Sequence, residues 1–509
     1  MKKFLIAFLI LVASFLRFYR LASVPPSPSL DEVSIGWNAY SILETGRDEY
    51  GYRLPVLLRA YDDWRPAGYV YLAIPFIKIF GLAATAVRLP AVILSAVALI
   101  AVYFLVKELF ANDRHGDQLS VISSLLLAIS PWHVYLSRLG HEVNAGLTFS
   151  ILVVLFLLKF FRQRRSIWLF LAAVFFALSF YTYQSQKIFG PLIIISLGLI
   201  FRKELLTEKK KVILAGLVGL VLLMPIVKAS FSPQAMIRFR ATSIFGTSDT
   251  ILRAYFSHFN PAWLFFNSGR EDHKVPGMGV LYLWELPLIL IGVYQLIRVK
   301  LPRQSKLLIL SWVLIAPLPA GIATGAPHAM RTFNLLPMPQ ILAALGAVTL
   351  MTKLKISRKA IFVLGAFLFF NLAYLYHNYF VNFPREQSDS FQYPLGQAIN
   401  YALTQEGDYQ KIVFSNQQHG YQSYMFFLFF SRYDPSLYQK QGGTISGGFN
   451  ETHQIGQYEF RPINWPEEEK SGEILYVGNL IDFPPEAESP QTFKLLDGQP
   501  VVKAVKGGS

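Results

Sequence analysis

The sequence predicts an α-helical polytopic membrane protein, with about eleven transmembrane helices plus external interfacial helices, and a small C-terminal extracytoplasmic α/β domain. Three observations carry this. Of 509 residues, 53% are hydrophobic and only 16% charged, well below the roughly one quarter charged that is typical of soluble domains. Apolar runs of about 18 to 22 residues, the length a helix needs to cross the hydrocarbon core, recur along the chain. The basic residues behind the formal charge of +15 gather in short loops between those runs rather than along one face. That distribution reads as membrane topology and speaks against a nucleic-acid partner. The chain has no cysteine, which excludes disulfides and thiolate–metal centres.

The opening "MKKFLIAFLILVASFLRFYRLA" starts with Lys2 and Lys3 and runs apolar through Phe18 and Leu21, as an uncleaved signal anchor with a cytoplasmic start does. Further spans centre near residues 97, 128, 152, 175, 195, 220, 288, 316, 343 and 368. The loops "RQRR" (162–165), "RKELLTEKKK" (202–211), "RVKLPRQSK" (298–306) and "KLKISRK" (353–359) are rich in Lys and Arg, hence cytoplasmic, and successive ones are separated by two spans. "PAGYVYLAIPFIKIFG" (66–81) has about fourteen apolar residues and contains Pro75 and Lys78. That suits an interfacial helix better than a crossing. It falls in a long external segment from about 23 to 86, and a second external segment covers 230–279. After a membrane domain of 1–382, the composition turns polar, and "KIVF" and "GEILYVGNLI" read as strands. Residues 383–509 are therefore expected to form a soluble α/β domain outside the cytoplasmic membrane.

The ionisable and polar residues without a topogenic role collect on the outer side. They are Asp31, Glu32, Asp48, Glu49, Asp62, Asp63, Arg65, Arg138, His141, Glu142, Gln184, Lys187, Arg238, Arg240, His258, His273, His328 and Arg331. Most lie within a few residues of a span end, at the depth of a lipid phosphate. In "PPSPSLDE" Asp31 fits a helix N-cap, and Ile35, Ala39 and Ile42 follow at helical spacing. A cap does not explain the second acidic pair in "YDDW" (61–64), ahead of the interfacial helix. Arg138, His141 and Glu142 fall within one or two helical turns, placed either to fix helix depth or to set a carboxylate among cations. "FYTYQSQKIFGP" bears Gln184 and Lys187 in a tight turn, and His328 and Arg331 stand at i and i+3. Cations at external span ends run against the positive-inside bias, so they either snorkel or bind phosphate. Glu285 is placed some six residues inside a span, as a functional carboxylate or a helix tie. His258 and His273 lack the His-x-x-x-His spacing of a metal pair. There is no Gly-rich phosphate loop or Gly-x-Gly-x-x-Gly turn, and the cytoplasmic loops are too short for a nucleotide-binding domain. The chemistry is external.

An opening span, an external loop beginning "DE", then "RPAGYVYL", "FGLAATAVRLPA", "SPWHVYLSR", "FYTYQ", "FNPAWLF", "VPGMGVLYLWELPLILIG" and "PHAMRTFNLLP" follow one another in order. Together they resemble bacterial membrane glycosyltransferases of the GT-C type, relatives of dolichyl-phosphate-mannose protein mannosyltransferases and of the aminoarabinose transferase that modifies lipid A. The resemblance covers roughly residues 1–385. It implies inverting transfer of a sugar from a polyprenyl-phosphate donor to a cell-envelope acceptor (protein, lipid or glycan) at the outer membrane face. The family's first-loop carboxylate falls on Asp31, with Glu32 beside it. Its lysine–proline motif is here Arg65 and Pro66 with Ala67, a departure, and its second charged motif falls on Arg138 to Glu142.

On this basis Asp31 is the expected base, with Glu32 or Glu142 supporting it. Arg138, Lys187 and Arg331 are expected to meet the leaving phosphate. Asp48, Asp62, Asp63, Arg65, His141, Gln184, His258, His273 and His328 complete the expected substrate-binding set. A sugar phosphate leaves without a metal, so no cofactor is required, and the acidic pairs could hold a divalent cation. Rival readings are a transferase of diphosphate-linked oligosaccharide, a transporter or flippase, and a non-catalytic glycan receptor. The transporter is disfavoured by the lack of an internal repeat and of paired broken helices.

Overall fold

The computed structural model describes residues 2–508 apart from 62, 234, 237–241, 246–249, 268–272, 299–300, 354–357, 446–447 and 449–451. Asp62, Arg238 and Arg240 therefore lie outside the described residues. Internal contacts divide the chain into two units. One comprises Met1–Tyr19, Ala91–Arg138 and Glu142–Asn378, and the other Arg20–Pro90, Leu139–His141 and Tyr379–Ser509. The second unit thus joins residues 20–90, which include the first segment expected to be external, to the C-terminal residues.

The first unit is helical. Along the chain the helices are α1 (Lys2–Phe18), α2 (Leu30–Thr45), α3 (Gly68–Phe80), α4 (Ala84–Leu109), α5 (Gly116–Ile129), α6 (Pro131–Ser137), α7 (Val143–Gln163), α8 (Ser166–Phe180), α9 (Gln186–Ile200), α10 (Arg202–Thr207) and α11 (Lys209–Ser230). α2 and α3 belong to the second unit, and α4 begins there. Longer helices follow at Glu285–Arg298, Arg303–Ile315, Met338–Lys353 and Arg358–Tyr376, so a helix stands at or beside every expected span centre. Among the described residues, five stretches are long and apolar enough to cross a membrane: Ala84–Leu109, Val143–Gln163, Lys209–Ser230, Arg303–Gly321 and Phe333–Lys353. A sixth is added if α5 and α6, bent by 61° where Pro131 opens α6, count as one span. Helix length and composition alone thus give fewer crossings than the expected eleven. α8 and α9, at 15 residues each, reach only about 22 Å, short of a ~30 Å hydrocarbon core.

Burial sorts these helices. The apolar window of α7 is 89% buried, at the centre of the unit, whereas that of α11 is 17% buried and presents its side chains outward. Helices Glu285–Arg298 and Met338–Lys353 pack at backbone distance. A Cβ on Gly292 would lie 1.9 Å from the Leu342 carbonyl oxygen, and one on Gly346 would lie 2.0 Å from that of Leu288. Only glycine permits such an approach, the small-residue packing that joins helices where lipid removes the hydrophobic drive. A buried polar node ties the N-terminal helices: Arg17 of α1 donates to Ser95 Oγ of α4 at 3.0 Å, the Ala128 carbonyl of α5 at 3.0 Å and His133 Nδ1 of α6 at 2.7 Å.

The second unit contains a hairpin and a mixed sheet. β1 (Leu57–Ala60) and β2 (Asp63–Pro66) pair antiparallel, Leu57 opposite Pro66 and Ala60 opposite Asp63, and Tyr61 turns between them at φ 53°. This hairpin was not read from the sequence, because two four-residue strands are too short to show a period. α3 follows, burying Tyr69, Val70, Ala73 and Ile77 on one face and exposing Ile79 and Phe80 on the other, the two-sided character expected of 66–81. Farther on, β3 (Lys411–Phe414), β4 (His453–Ile455), β5 (Tyr458–Phe460), β6 (Ile474–Asn479), β7 (Gln491–Lys494) and β8 (Pro500–Lys506) form a six-stranded sheet in the order β4-β5-β3-β6-β8-β7. β3 lies parallel to β5 and β6, and the outer pairs are antiparallel. The strand "KIVF" and the run "GEILYVGNLI" become the adjacent central strands β3 and β6, and β6 is buried at every position. Helix Ser423–Ser431 covers α2: a Cβ on Gly36 would stand 2.5 Å from the Phe429 ring. α2 is thus buried inside the unit, with Ile35, Ala39 and Ile42 all buried.

Candidate active site

The geometry starts at the N-terminus of α2. Ser29 has extended backbone (φ −72°, ψ 168°) and caps the helix. Its hydroxyl accepts the Glu32 N–H at 3.3 Å, and the Glu32 carboxylate accepts the Ser29 N–H at 2.9 Å, a capping box. The cap expected at Asp31 is therefore made two residues earlier, since Asp31 already lies in the first turn.

That box aims the two adjacent carboxylates differently. Glu32 is 1% exposed. Arg88 of α4 meets it at two points, Nε to Oε1 at 2.7 Å and Nη2 to Oε2 at 3.0 Å, and the Gly140 N–H adds 2.8 Å to Oε1. The other Arg88 donors reach the carbonyls of Leu21, Pro25 and Ser27, so all five guanidinium N–H groups are used. Gly140 admits no side chain, because a Cβ there would lie 2.7 Å from Val87 Cγ1 and 3.1 Å from Glu32 Cγ. Glu32 is an anchor, and its oxygens are occupied.

Asp31 turns the other way. Its side chain is 47% exposed, Oδ1 accepts from Arg65 Nη1 at 2.6 Å, and Oδ2 lies 3.8 Å from His141 Nε2. Arg65 is buried on β2, with Nη2 on Ser34 Oγ of α2 at 3.1 Å. The hairpin thus delivers a planar fork, one prong on the carboxylate and one on the helix that carries it. Asp31, Arg65 and His141, from three separate sequence segments, come together here.

The remaining acids of the second unit have structural surroundings. Asp48 Oδ1 accepts the N–H groups of Tyr50 and Tyr52 in a tight turn, and burial, opposed by these bonds, pushes its carboxyl up to about 6. Glu49 is buried, held by Asn38 of α2 at 3.1 Å, Tyr424 at 3.2 Å and Thr444 at 3.1 Å. Burial outweighs these hydrogen bonds and pushes Glu49 up to about 7. Asp63 begins β2.

In the first unit, the turn before α9 opens onto a cavity of about 250 Å³ lined by Tyr183, Gln184, Ser185, Lys187, Thr242, Ser243 and Arg331, among others. Lys187 and Arg331 give it two cations. Segments 242–244 and 322–324 close one side by pairing: Ile244 N–H to the Ile322 carbonyl at 3.0 Å, and Thr324 N–H to that of Thr242 at 2.9 Å. Arg331 is oriented by the Thr324 carbonyl. Gln186, one residue before Lys187, is fixed between Ser150 of α7 at 2.8 Å and Asn334 at 2.9 Å.

Other expected residues take other places. Arg138 is fully buried and donates to the carbonyls of Leu16, Arg17 and Tyr19 at 3.1, 2.8 and 2.8 Å. It satisfies the open C-terminal end of α1 and does not line the cavity. Glu142 is buried at the start of α7. Glu285 is the first residue of its helix and accepts the Tyr282 N–H at 2.9 Å, so it closes a helix end and does not lie six residues inside a span. His258 accepts the His328 N–H on Nε2 at 3.1 Å, which leaves Nδ1 to donate to the Ala254 carbonyl at 2.8 Å. Burial pushes its imidazole down to about 4, so it is a neutral brace for the 328 turn. The rings of His273 and His328 stack at 4.9 Å.

Asp31 and Glu32 each face a guanidinium. Asp48 Oδ1 and the Glu49 carboxylate accept from N–H and O–H donors, whereas Asp48 Oδ2 is buried with no hydrogen-bond partner among the described residues. Among the described residues no group of three or more His, Asp or Glu side chains is placed to hold a metal.

Sequence reasoning missed Ser29, Arg88, Gln186 and Asn334. Arg88 left the clearest trace, a lone cation in the apolar "TAVRLPAVIL"; a charge at that position needs a buried partner.

A family model described as dolichyl-phosphate-mannose-protein mannosyltransferase matches residues 65–228. No curated protein matches the sequence. Among solved structures the chain is similar to ArnT from Cupriavidus metallidurans bound to undecaprenyl phosphate, with 12% identity, a TM-score of 0.62, and coverage of 98% of this chain and 97% of that one. The apo form of the same protein gives a TM-score of 0.59. The archaeal oligosaccharyltransferase AglB from Archaeoglobus fulgidus, in complex with an inhibitory peptide and a dolichol-phosphate, gives a TM-score of 0.52 at 12% identity, covering 93% of this chain and 69% of that one. At these identities the likeness is one of fold. The chain has this fold, and its resemblance to GT-C membrane glycosyltransferases rests on fold and family match together.

Proposed function

We propose, on the premise of that fold, that the chain is an inverting glycosyltransferase of the cytoplasmic membrane. It moves a sugar from a polyprenyl-phosphate donor to a cell-envelope acceptor at the outer face. What chiefly supports this reading is the half-exposed Asp31 carboxylate, gripped by a buried arginine fork and carried on a helix end locked by Glu32 and Arg88. A base must be both reachable and fixed. In this reading Asp31 takes the proton of the acceptor hydroxyl as its oxygen attacks the anomeric carbon. The bond from that carbon to the phosphate oxygen breaks, and the electron pair leaves on the phosphate. Arg65 orients the base, and Glu32 positions the helix. The phosphate-binding role falls to Lys187 and Arg331, whose charges favour the dianion as it forms. Arg138, committed to α1, has no part in it.

The likeness to AglB supports a second reading, transfer of a diphosphate-linked oligosaccharide. The test is turnover of the purified chain in lipid with a panel of polyprenyl-monophosphate sugars and mixed envelope acceptors, following released polyprenyl phosphate for wild type and Asp31→Asn, with and without chelator. Release by wild type that drops about a hundredfold in the variant supports the monophosphate reading. Release only from a diphosphate donor supports the second.

A further inference from the structure

We infer that the first unit holds an anionic phospholipid between α7, α8, α9 and α11, with an acyl chain in an apolar cavity and the phosphate at the adjoining basic loops. The cavity measures about 340 Å³ and is lined almost wholly by apolar side chains, among them Phe161, Leu169, Phe176, Leu197 and Val212. Two of its wall positions are glycines whose missing side chains leave room: no heavy atom lies within 4 Å of a Cβ built on Gly198 or Gly216. A Cβ built on Gly219, by contrast, would lie 3.5 Å from the Ala173 Cβ.

Position decides the occupant. Most lining residues belong to the C-terminal halves of α7 and α9, to α10, and to α8 and α11 from their N-terminal ends to just past their middles, toward the end of these helices joined by loops 162–165 and 202–211. Those loops carry eight Lys and Arg against two Glu. Lys211 pairs with Glu208 at 2.8 Å and Arg162 with Glu108 at 2.8 Å. Arg202, Lys203, Lys209 and Lys210 are exposed, and no ion pair is recorded for them among the described residues. An apolar slot beside exposed cations matches a lipid with an acyl tail and an anionic head. The cavity containing Lys187 lies at the opposite end of α9, ten residues or about 15 Å from Leu197, so one lipid phosphate cannot serve both. The inference does not depend on the glycosyltransferase reading.

The test is native mass spectrometry of the delipidated full chain after incubation with vesicles of phosphatidylglycerol or phosphatidylcholine. Wild type is expected to retain one phosphatidylglycerol on the order of tenfold more strongly than phosphatidylcholine, about the contribution of one or two nearby cations. Gly216→Leu and Gly198→Leu each fill the cavity and are expected to lose that lipid. The double variant Lys209→Gln/Lys210→Gln is expected to lose the headgroup preference. The two leucine variants lie on different helices, and thermal unfolding identifies either one that fails to fold, leaving the other to decide. The inference is overturned if folded leucine variants retain the lipid, if wild type does not discriminate between headgroups, or if undecaprenyl phosphate displaces the bound phosphatidylglycerol one for one.

Discussion

Glu32 and Arg88 meet as a two-point ion pair at 2.7 and 3.0 Å with essentially no solvent exposure. Removing one partner strands a buried charge together with its hydrogen bonds. Glu32→Gln and Arg88→Met are each expected to destabilise the second unit by about 3–5 kcal/mol, read as a lowered midpoint of thermal unfolding in nanodiscs. An unchanged midpoint in both would show that the pair is not the anchor of α2.

Asp31→Asn separates chemistry from folding. Asp31 is half-exposed although Arg65 is buried, and the amide oxygen that the substitution leaves can still accept from Arg65 Nη1, so the change is expected to cost less stability than Glu32→Gln while turnover falls about a hundredfold. Parallel unfolding and turnover assays check both at once.

Arg65→Lys keeps the charge and loses the fork. A lysine reaches Asp31 or Ser34 but not both in the same geometry. Turnover is expected to fall roughly tenfold through kcat, the cost of a misoriented base. Ser34→Ala, which removes one prong only, is expected to give a smaller loss.

Lys187→Gln and Arg331→Gln probe the other unit. Each removes one cation from the cavity, and a charged hydrogen bond contributes about 1.5–3 kcal/mol, so each is expected to lower kcat/KM for the polyprenyl-phosphate donor by about 10- to 100-fold. Acceptor KM is expected to stay within about threefold, which initial-rate kinetics with both substrates varied would check.

Glu49 makes stability depend on pH. Its carboxyl is raised from 4.5 to about 7 by burial, so the folded state binds the proton more tightly than the unfolded chain. The contribution is fully present below about pH 4.5 and is lost as pH rises through about 7, up to about 3 kcal/mol in all. Wild type is expected to become less stable across that window, and Glu49→Gln, neutral at every pH, to show a shallower dependence. Unfolding midpoints from pH 4.5 to 8 decide this.

Helix positions were legible because lipid-length apolar runs leave a strong signal, and the strands β3 and β6 were legible because central strands are apolar throughout. The hairpin at 57–66 was not, since four-residue strands turning at Tyr61 carry no measurable period. At the candidate site, Asp31, Arg65 and His141 were each singled out by charge near a span end, but the sequence could not say that Asp31 faces outward while Glu32 faces Arg88. That split arises from one capping box, and Ser29 reads as an ordinary loop serine until the helix start is known. Arg138 misled because a cation at a span end looks the same in sequence whether it meets a phosphate or three backbone carbonyls.

Gly292 and Gly346 have a mechanical consequence. With less than 2.1 Å between each absent Cβ and the opposite carbonyl oxygen, helices Glu285–Arg298 and Met338–Lys353 have no room to slide or roll past each other without a backbone collision. They form a single two-helix strut, so any motion that reaches them must carry both together.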